Sequence, residues 1–182
     1  MNFTKTFLDF SVSLNNLWLF SAVFLLLNTG FIILFPKYNI GKFVKMPKVK
    51  IYSTINRISY YLLFAVSVFI PLKIGTNVFY IGSALFIFGI LLYATALFYF
   101  AVSEYHLPVT GGIYKFSRHP VYVSFFIINL GMITASTSFI VFIIAFLHFY
   151  SVIFIVEEEE KFCEKQYGKL YTEYKQKTKK YL

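Results

Sequence analysis

The run from Val78 to Val102 carries no charged residue and is long enough to cross a bilayer with some tilt. Hydrocarbon offers no partner for a backbone N–H or C=O, so a lone segment crossing it must be a helix. About 20 apolar residues suffice for one crossing. Four further apolar stretches meet or approach that length: Leu17 to Phe35, about Ile58 to Leu72 (with a start as early as Ser53), Pro120 to about Ala135, and Ser138 to Val156. Hydrophobic residues make up 58% of the 182-residue chain and charged residues 14%, against about 45–50% and about 25% in a soluble domain. The expected fold is all-α: a polytopic membrane protein with about five transmembrane helices and a C-terminal amphipathic cytosolic helix. We expect a single domain over residues 1–182, with three spans in 1–102 and the chemistry in 103–182.

Charge orients these spans. The net charge is +9, which in a chain this apolar points to basic loops facing anionic lipid rather than to nucleic acid. The 36–57 loop holds Lys37, Lys42, Lys45, Lys48, Lys50 and Arg57 and no acid, and the tail from Glu157 holds seven lysines. Five spans put these segments and Lys115 and Arg118 on one side, with the N-terminus outside. The single cysteine, Cys163, excludes an internal disulfide and any zinc site built on several thiolates. Lys5 and Asp9 do not form the basic lead of a cleaved signal peptide. Gly75, Gly82 and Gly89 recur every seven residues and predict a smooth, close-packing helix face.

Between the third and fourth spans lies a polar island, Glu104 to Tyr122, with His106, His119, Pro108, Pro120 and the Gly111–Gly112 pair. Gly111 and Gly112 allow backbone conformations closed to other residues and close approach of a ligand. Arg118 is a fixed cationic fork for a carboxylate or phosphate, and His119 can donate or accept near neutral pH. Pro120 suits the first turn of a helix, from which Tyr122 points back. The plainer alternative makes Arg118 and His119 interfacial anchors for lipid headgroups. Downstream, Glu157-Glu158-Glu159-Glu160 point all around a helix. Glu157 and Glu158 read as a solvated cap, while an inward carboxylate could accept two hydrogen bonds from a ribose diol. Cys163, Tyr167, Leu170, Tyr171, Tyr174, Thr178 and Tyr181 recur at helical steps, an amphipathic stripe for the membrane surface or for the island. His148 within the fifth span is either functional or a neutral histidine bonded to a neighbouring helix. The histidines and glutamates match no compact metal motif, so no metal is expected.

Taken together, His106-Leu107-Pro108-Val109, Gly112-Ile113-Tyr114, Arg118-His119-Pro120-Val121-Tyr122, Glu159-Glu160 and the run from Tyr167-Gly168 to Tyr174 resemble the isoprenylcysteine carboxyl methyltransferase and phospholipid methyltransferase superfamily of integral membrane enzymes. The resemblance covers roughly residues 100–176. It implies S-adenosylmethionine as cofactor, with contacts at His106, Leu107, Val109, Gly112, Tyr114, His119, Pro120, Tyr122 and Glu159. It implies a catalytic group of His119, Arg118 and Glu160, with Glu160 as the supporting acid. The implied reaction moves a methyl group to a lipophilic membrane substrate, a prenylcysteine carboxylate or a lipid amine, at a cytosolic face of the cell membrane or endoplasmic reticulum. Two positions depart from the pattern. Pro108 stands where the family has leucine, and Ile155 stands where prenylcysteine enzymes carry an arginine that holds the substrate carboxylate. Two rival functions remain, a nicotinamide-dependent membrane reductase, which shares a similar Arg-His-Pro-x-Tyr ending, and a non-enzymatic scaffold.

Overall fold

The computed structural model describes residues 11–35, 50–104 and 106–181. The basic loop from 36 to 49 and the lead-in from 1 to 10 lie outside the described residues. Among the described residues six α-helices follow in order: α1 Trp18–Leu34, α2 Lys50–Ser67, α3 Asn77–Val102, α4 Pro120–Ser136, α5 Phe139–Tyr167 and α6 Lys169–Lys177, with a 3₁₀ turn at Gly112–Lys115 before α4. Among the described residues the single strand-like feature is a bridge between Asn16 and Pro71.

Local chemistry sets the ends of these helices. The Thr76 hydroxyl accepts from Phe79 N–H at 3.3 Å and starts α3, and Ser138 does the same for α5 through Val141 N–H at 3.4 Å. Pro120 sits in the first turn of α4, where its missing N–H costs nothing. Thr137, at φ 52°, ends α4. The second apolar stretch differs from its expected limits: α2 starts at Lys50 and stops at Ser67. Residues 68–72 turn instead into an extended strap, with Leu17 N–H on Ile70 O at 2.8 Å and Leu72 N–H on Asn15 O at 3.0 Å. Pro71 has no N–H for a helical bond, which suits this strap. The fifth stretch also differs. No break occurs at Glu157, because glutamate and lysine are good helix formers. The helix runs on to Gly168, which adopts a left-handed φ of 53°. The expected single tail helix is thereby split between the end of α5 and α6.

Helix pairing follows small residues. The most extensive contact is α3 against α4, and the next is α2 against α5. A Cβ placed on Gly89 would come within 2.8 Å of Ile128 N, and one on Gly131 within 2.6 Å of Phe86 N and 2.7 Å of Gly82 O. Gly82 abuts the backbone of Ala135 in the same seam. Gly75 does not belong to this face: it lies in the turn before α3 at φ 84°, and Gly131 completes the seam from the other side. The expected α4–α5 hairpin is also modified. The two helices are joined through Thr137 and Ser138, yet each packs chiefly on a different partner. Phe24 of α1 closes the core through ring contacts with Tyr60, Tyr93 and Phe125.

Large apolar side chains such as Leu26, Leu91 and Phe146 lie on the outside of the bundle, a surface suited to lipid. Among the described residues α3 and α5 are long and apolar enough to cross a membrane, while α1 and α4 are apolar but shorter. The seam gives a direct test. Gly131→Ala should destabilise the detergent-solubilised protein by about 1–3 kcal/mol through overpacking, whereas Gly30→Ala, inside α1 with nothing within 4 Å, should leave the melting temperature unchanged or slightly raised. Equal melting temperatures for the two variants would sink this account of the α3–α4 contact.

Candidate functional site

The island pairs part of its own backbone. Tyr114 N–H reaches Gly111 O at 3.1 Å, Phe116 N–H reaches Ile113 O at 3.1 Å, and His119 N–H reaches the Ser117 hydroxyl at 3.2 Å. The C-terminal segment supplies further partners. Arg118 N–H donates to Lys179 O at 2.9 Å, and the Tyr174 hydroxyl donates to Tyr114 O at 2.6 Å. Of the two placements open to the tail stripe, the protein adopts the one against the island. Tyr171, Tyr174 and Thr178 are buried there, while Leu170 and Tyr181 are exposed.

A charged cluster ties the island to α5. Glu160 Oε1 accepts from Arg118 Nε at 2.9 Å, Arg118 Nη2 at 2.8 Å and His119 Nε2 at 3.1 Å. The Arg118 and Glu160 side chains are only 8% and 9% exposed. Arg118 Nη1 donates to Lys175 O at 3.2 Å and also to Thr178 O. Four hydrogen bonds thus commit the guanidinium to acceptors within the protein. Burial by itself would raise the Glu160 pKa, but the bonds from His119 and Arg118 and the Arg118 charge outweigh it and hold the carboxyl at about 2. Burial also lowers the His119 pKa, against the opposing pull of Glu160. A neutral His119 that donates from Nε2 to Glu160 keeps a lone pair on Nδ1.

Glu159 sits one residue away in a different environment. Its Oε1 accepts from the Tyr122 hydroxyl at 2.6 Å. Its Oε2 lies 3.8 Å from His119 Nδ1, too far for a hydrogen bond. Burial raises its pKa to about 7, only partly opposed by the Tyr122 bond. The 100° step between successive helix positions therefore gives two neighbouring acids opposite characters: Glu160 is ionised, and Glu159 is poised to exchange a proton near neutrality.

Glu159, Tyr122, His119 and Arg118 face a cavity of about 130 Å³. Of the other residues expected at the site, Val109, Tyr114 and Pro120 also line it. His106, Leu107 and Gly112 do not; His106 and Leu107 are exposed. Gly112 adopts φ 55°, and a Cβ there would run into the Tyr99 ring, so its small size serves packing. Glu160 stands behind the wall as the partner of Arg118 and His119. The outer pair matches the reading of a solvated cap: Glu157 is exposed, and Glu158 pairs with Lys161 at 2.6 Å. The walls also include Phe100 and Phe162, which the motif left out, and Val121 from its variable position. Phe162, Cys163 and Tyr167 follow Glu159 at steps of three, four and eight, so helical periodicity from Glu159 would have found them. Burial pushes the Cys163 thiol up to about 12, which leaves it unreactive.

Breaking the cluster has a defined consequence. Glu160→Gln leaves Arg118 buried without its counter-charge and should cost about 3–5 kcal/mol, while the exposed Glu157→Gln should stay within about 0.5 kcal/mol. The sign of the pH effect follows from a lowered carboxyl pKa. Glu160 contributes fully above the ordinary carboxylate range, and the contribution is lost as pH falls toward about 2. Acid unfolding followed by circular dichroism should contain this component in the wild type and lack it in Glu160→Gln.

Comparison with known proteins bears on this same region. The family model for phospholipid methyltransferases matches residues 78–170. No curated protein and no solved structure gives a match. The matched residues run from α3 through the island, α4 and α5 to the start of α6. They hold Arg118, His119, Tyr122, Glu159 and Glu160 and span just over half of the chain. The chain therefore belongs to the phospholipid methyltransferase family.

Proposed function

We propose that this protein transfers a methyl group from S-adenosylmethionine to the amine of a membrane lipid. The observation that carries the reading is a cavity that joins Glu159, Tyr122 and His119 to aromatic walls within the segment matched to the family. The residues present suit the cofactor. Glu159 is a half-buried carboxyl with one oxygen bonded to Tyr122 and the other beyond hydrogen-bonding distance of His119. When ionised it can accept bonds from a ribose diol. Tyr114, Tyr171 and Tyr174 offer ring faces that favour a cation in a dry site. When bound, the cofactor supplies a methyl group activated on a sulfonium.

The acceptor follows from what the cavity can and cannot hold. Among the described residues Arg118 is the one cation in its walls, and its four bonds are spent inside the protein. Ile155 offers no charge in its place. Among the described residues a substrate carboxylate finds no uncommitted counter-ion in the cavity, which favours the amine over the prenylcysteine alternative. An amine finds acceptors instead. His119 Nδ1 takes the proton released by the amine nitrogen, while Glu160 holds the ring by Nε2 and Arg118 holds Glu160. Burial keeps the imidazole neutral and so available as a base. The same reading sets α1 to α5 across the bilayer. The island and α6 then lie on the cytosolic side with the lysine-rich tail, and the lipid enters sideways between helices.

Calorimetry on the purified protein tests the cofactor half. His119→Ala and Glu159→Ala should each weaken S-adenosylmethionine binding at least tenfold, and wild-type affinity in both variants would falsify the assignment. Because protonation of Glu159 near pH 7 removes an acceptor, affinity should fall about tenfold between pH 8 and pH 6, and Glu159→Gln should flatten that dependence. Methyl-labelled cofactor offered with lipid amines and with prenylated carboxylates should label the amines. Binding of NADPH in place of S-adenosylmethionine would favour a reductase instead.

A further inference from the structure

A second cavity lies deeper in the bundle, between α1, α2, α4 and α5. Its volume is about 20 Å³, and its walls include Ser21, Phe24, Tyr60, Phe125, Asn129 and His148. Most of its lining is apolar, with Ser59 a further polar residue, and three of its lining residues hold side-chain atoms with no hydrogen-bond partner among the described residues: Ser21 Oγ, Asn129 Oδ1 and His148 Nε2. Two further described side-chain atoms share that condition, Ser83 Oγ and Thr137 Oγ1, and neither residue lines this cavity. Ser21, Asn129 and His148 are 5%, 4% and 7% exposed and come from three different helices. Buried polar groups without partners are rare and costly in an apolar interior.

We propose that this cavity is a binding site for one water molecule, or one neutral ligand of its size, held by Ser21, Asn129 and His148. The volume exceeds the roughly 10–15 Å³ that one water requires, and leaves no room for a lipid chain. The hydrogen-bond roles also match. The Ser151 hydroxyl donates to His148 O at 2.6 Å and so accepts from Asn56 Nδ2 at 3.1 Å. Asn56 Nδ2 also lies 3.4 Å from His148 Nδ1. A neutral ring that accepts at Nδ1 carries its proton at Nε2. The cavity is therefore offered one N–H donor from His148, one carbonyl acceptor from Asn129 and one hydroxyl from Ser21 that can play either part. A water accepts from the first and donates to the other two, which gives the three bonds typical of a buried water. A metal cation does not fit this set, because the site contains no carboxylate and His148 presents a proton to it. The bound water joins α1 to α4 and α5 at a level where α1 otherwise makes ring contacts through Phe24.

The chain has three histidines, which makes the test tractable. Full-length protein labelled with ¹⁵N-histidine, in phosphatidylcholine bilayers, would be observed by water-edited solid-state NMR. The Nε2–H of His148 should appear as the protonated ring nitrogen and receive polarisation from water at short mixing times. Ser21→Ala should reduce that transfer at least twofold and lower the melting temperature by several degrees, while Ser83→Ala, which removes an unpartnered hydroxyl elsewhere, should do neither. A His148 ring that stays dark to water overturns the proposal. So does a Ser21→Ala protein as stable as the wild type or more so, since removing a hydroxyl from a dry cavity relieves an unpaired group.

Discussion

The contact on which the rest depends is the acceptance of three hydrogen bonds by one oxygen of Glu160, two from Arg118 and one from His119. It links the end of α5 to a polar island some forty residues earlier in the chain. A buried ion pair is a poor source of net stability, because desolvation offsets most of its attraction. Its value here lies in geometry. The pair fixes the His119 ring by one nitrogen, and the remaining bonds of Arg118 hold the C-terminal segment through Lys175 O and Thr178 O. Island, α5 and tail are thus held by a single cationic side chain, and the cavity lies between them.

Neighbouring residues with opposite titration give this arrangement its chemical range. Glu160 stays ionised because two donors surround it, and Glu159 drifts toward neutrality because one hydroxyl does not compensate for its burial. Two carboxylates with the same environment would repel each other and share one character. Turning them by one helical step separates their roles, as different environments do for paired acids elsewhere. Arg118, the obvious anion receptor by residue type, is spent in creating that difference. The cavity presents acceptors and aromatic faces, which suit positive groups.

The bundle around the site obeys one further rule, that polar groups in an apolar interior must find partners. The island meets it with its own turns and with tail carbonyls. Tyr93 meets it by donating to Asn28 Oδ1 at 2.7 Å, and Asn16 by donating to Val68 O at 2.7 Å. Among the described residues, three of the five exceptions, Ser21, Asn129 and His148, gather around one small cavity. That clustering, more than any one unpaired atom, marks the place as built for an occupant.

Much of this was legible from residue order alone. Uncharged runs dictate helices because an apolar medium leaves the backbone no other way to pair, and α3 and α5 follow from composition and length. The Arg118-His119-Pro120-Val121-Tyr122 and Glu159-Glu160 motifs locate the residues that meet at the cavity. Pro120 also predicts the first turn of α4. Residue order does not decide which helix packs on which, since that depends on the fit of surfaces distant in the chain. Gly131 was needed to complete the seam that Gly82 and Gly89 began, and Gly75 fell in a turn. Nor could the motif show that Gly112 serves the Tyr99 ring, that His106 and Leu107 stand outside the cavity, or that the tail closes over the island. Those facts arise when a side chain meets a partner forty or sixty residues away. The opposite states of Glu159 and Glu160 are decided in the same way, because a carboxyl's pKa reports its burial and its neighbours rather than its place in the chain.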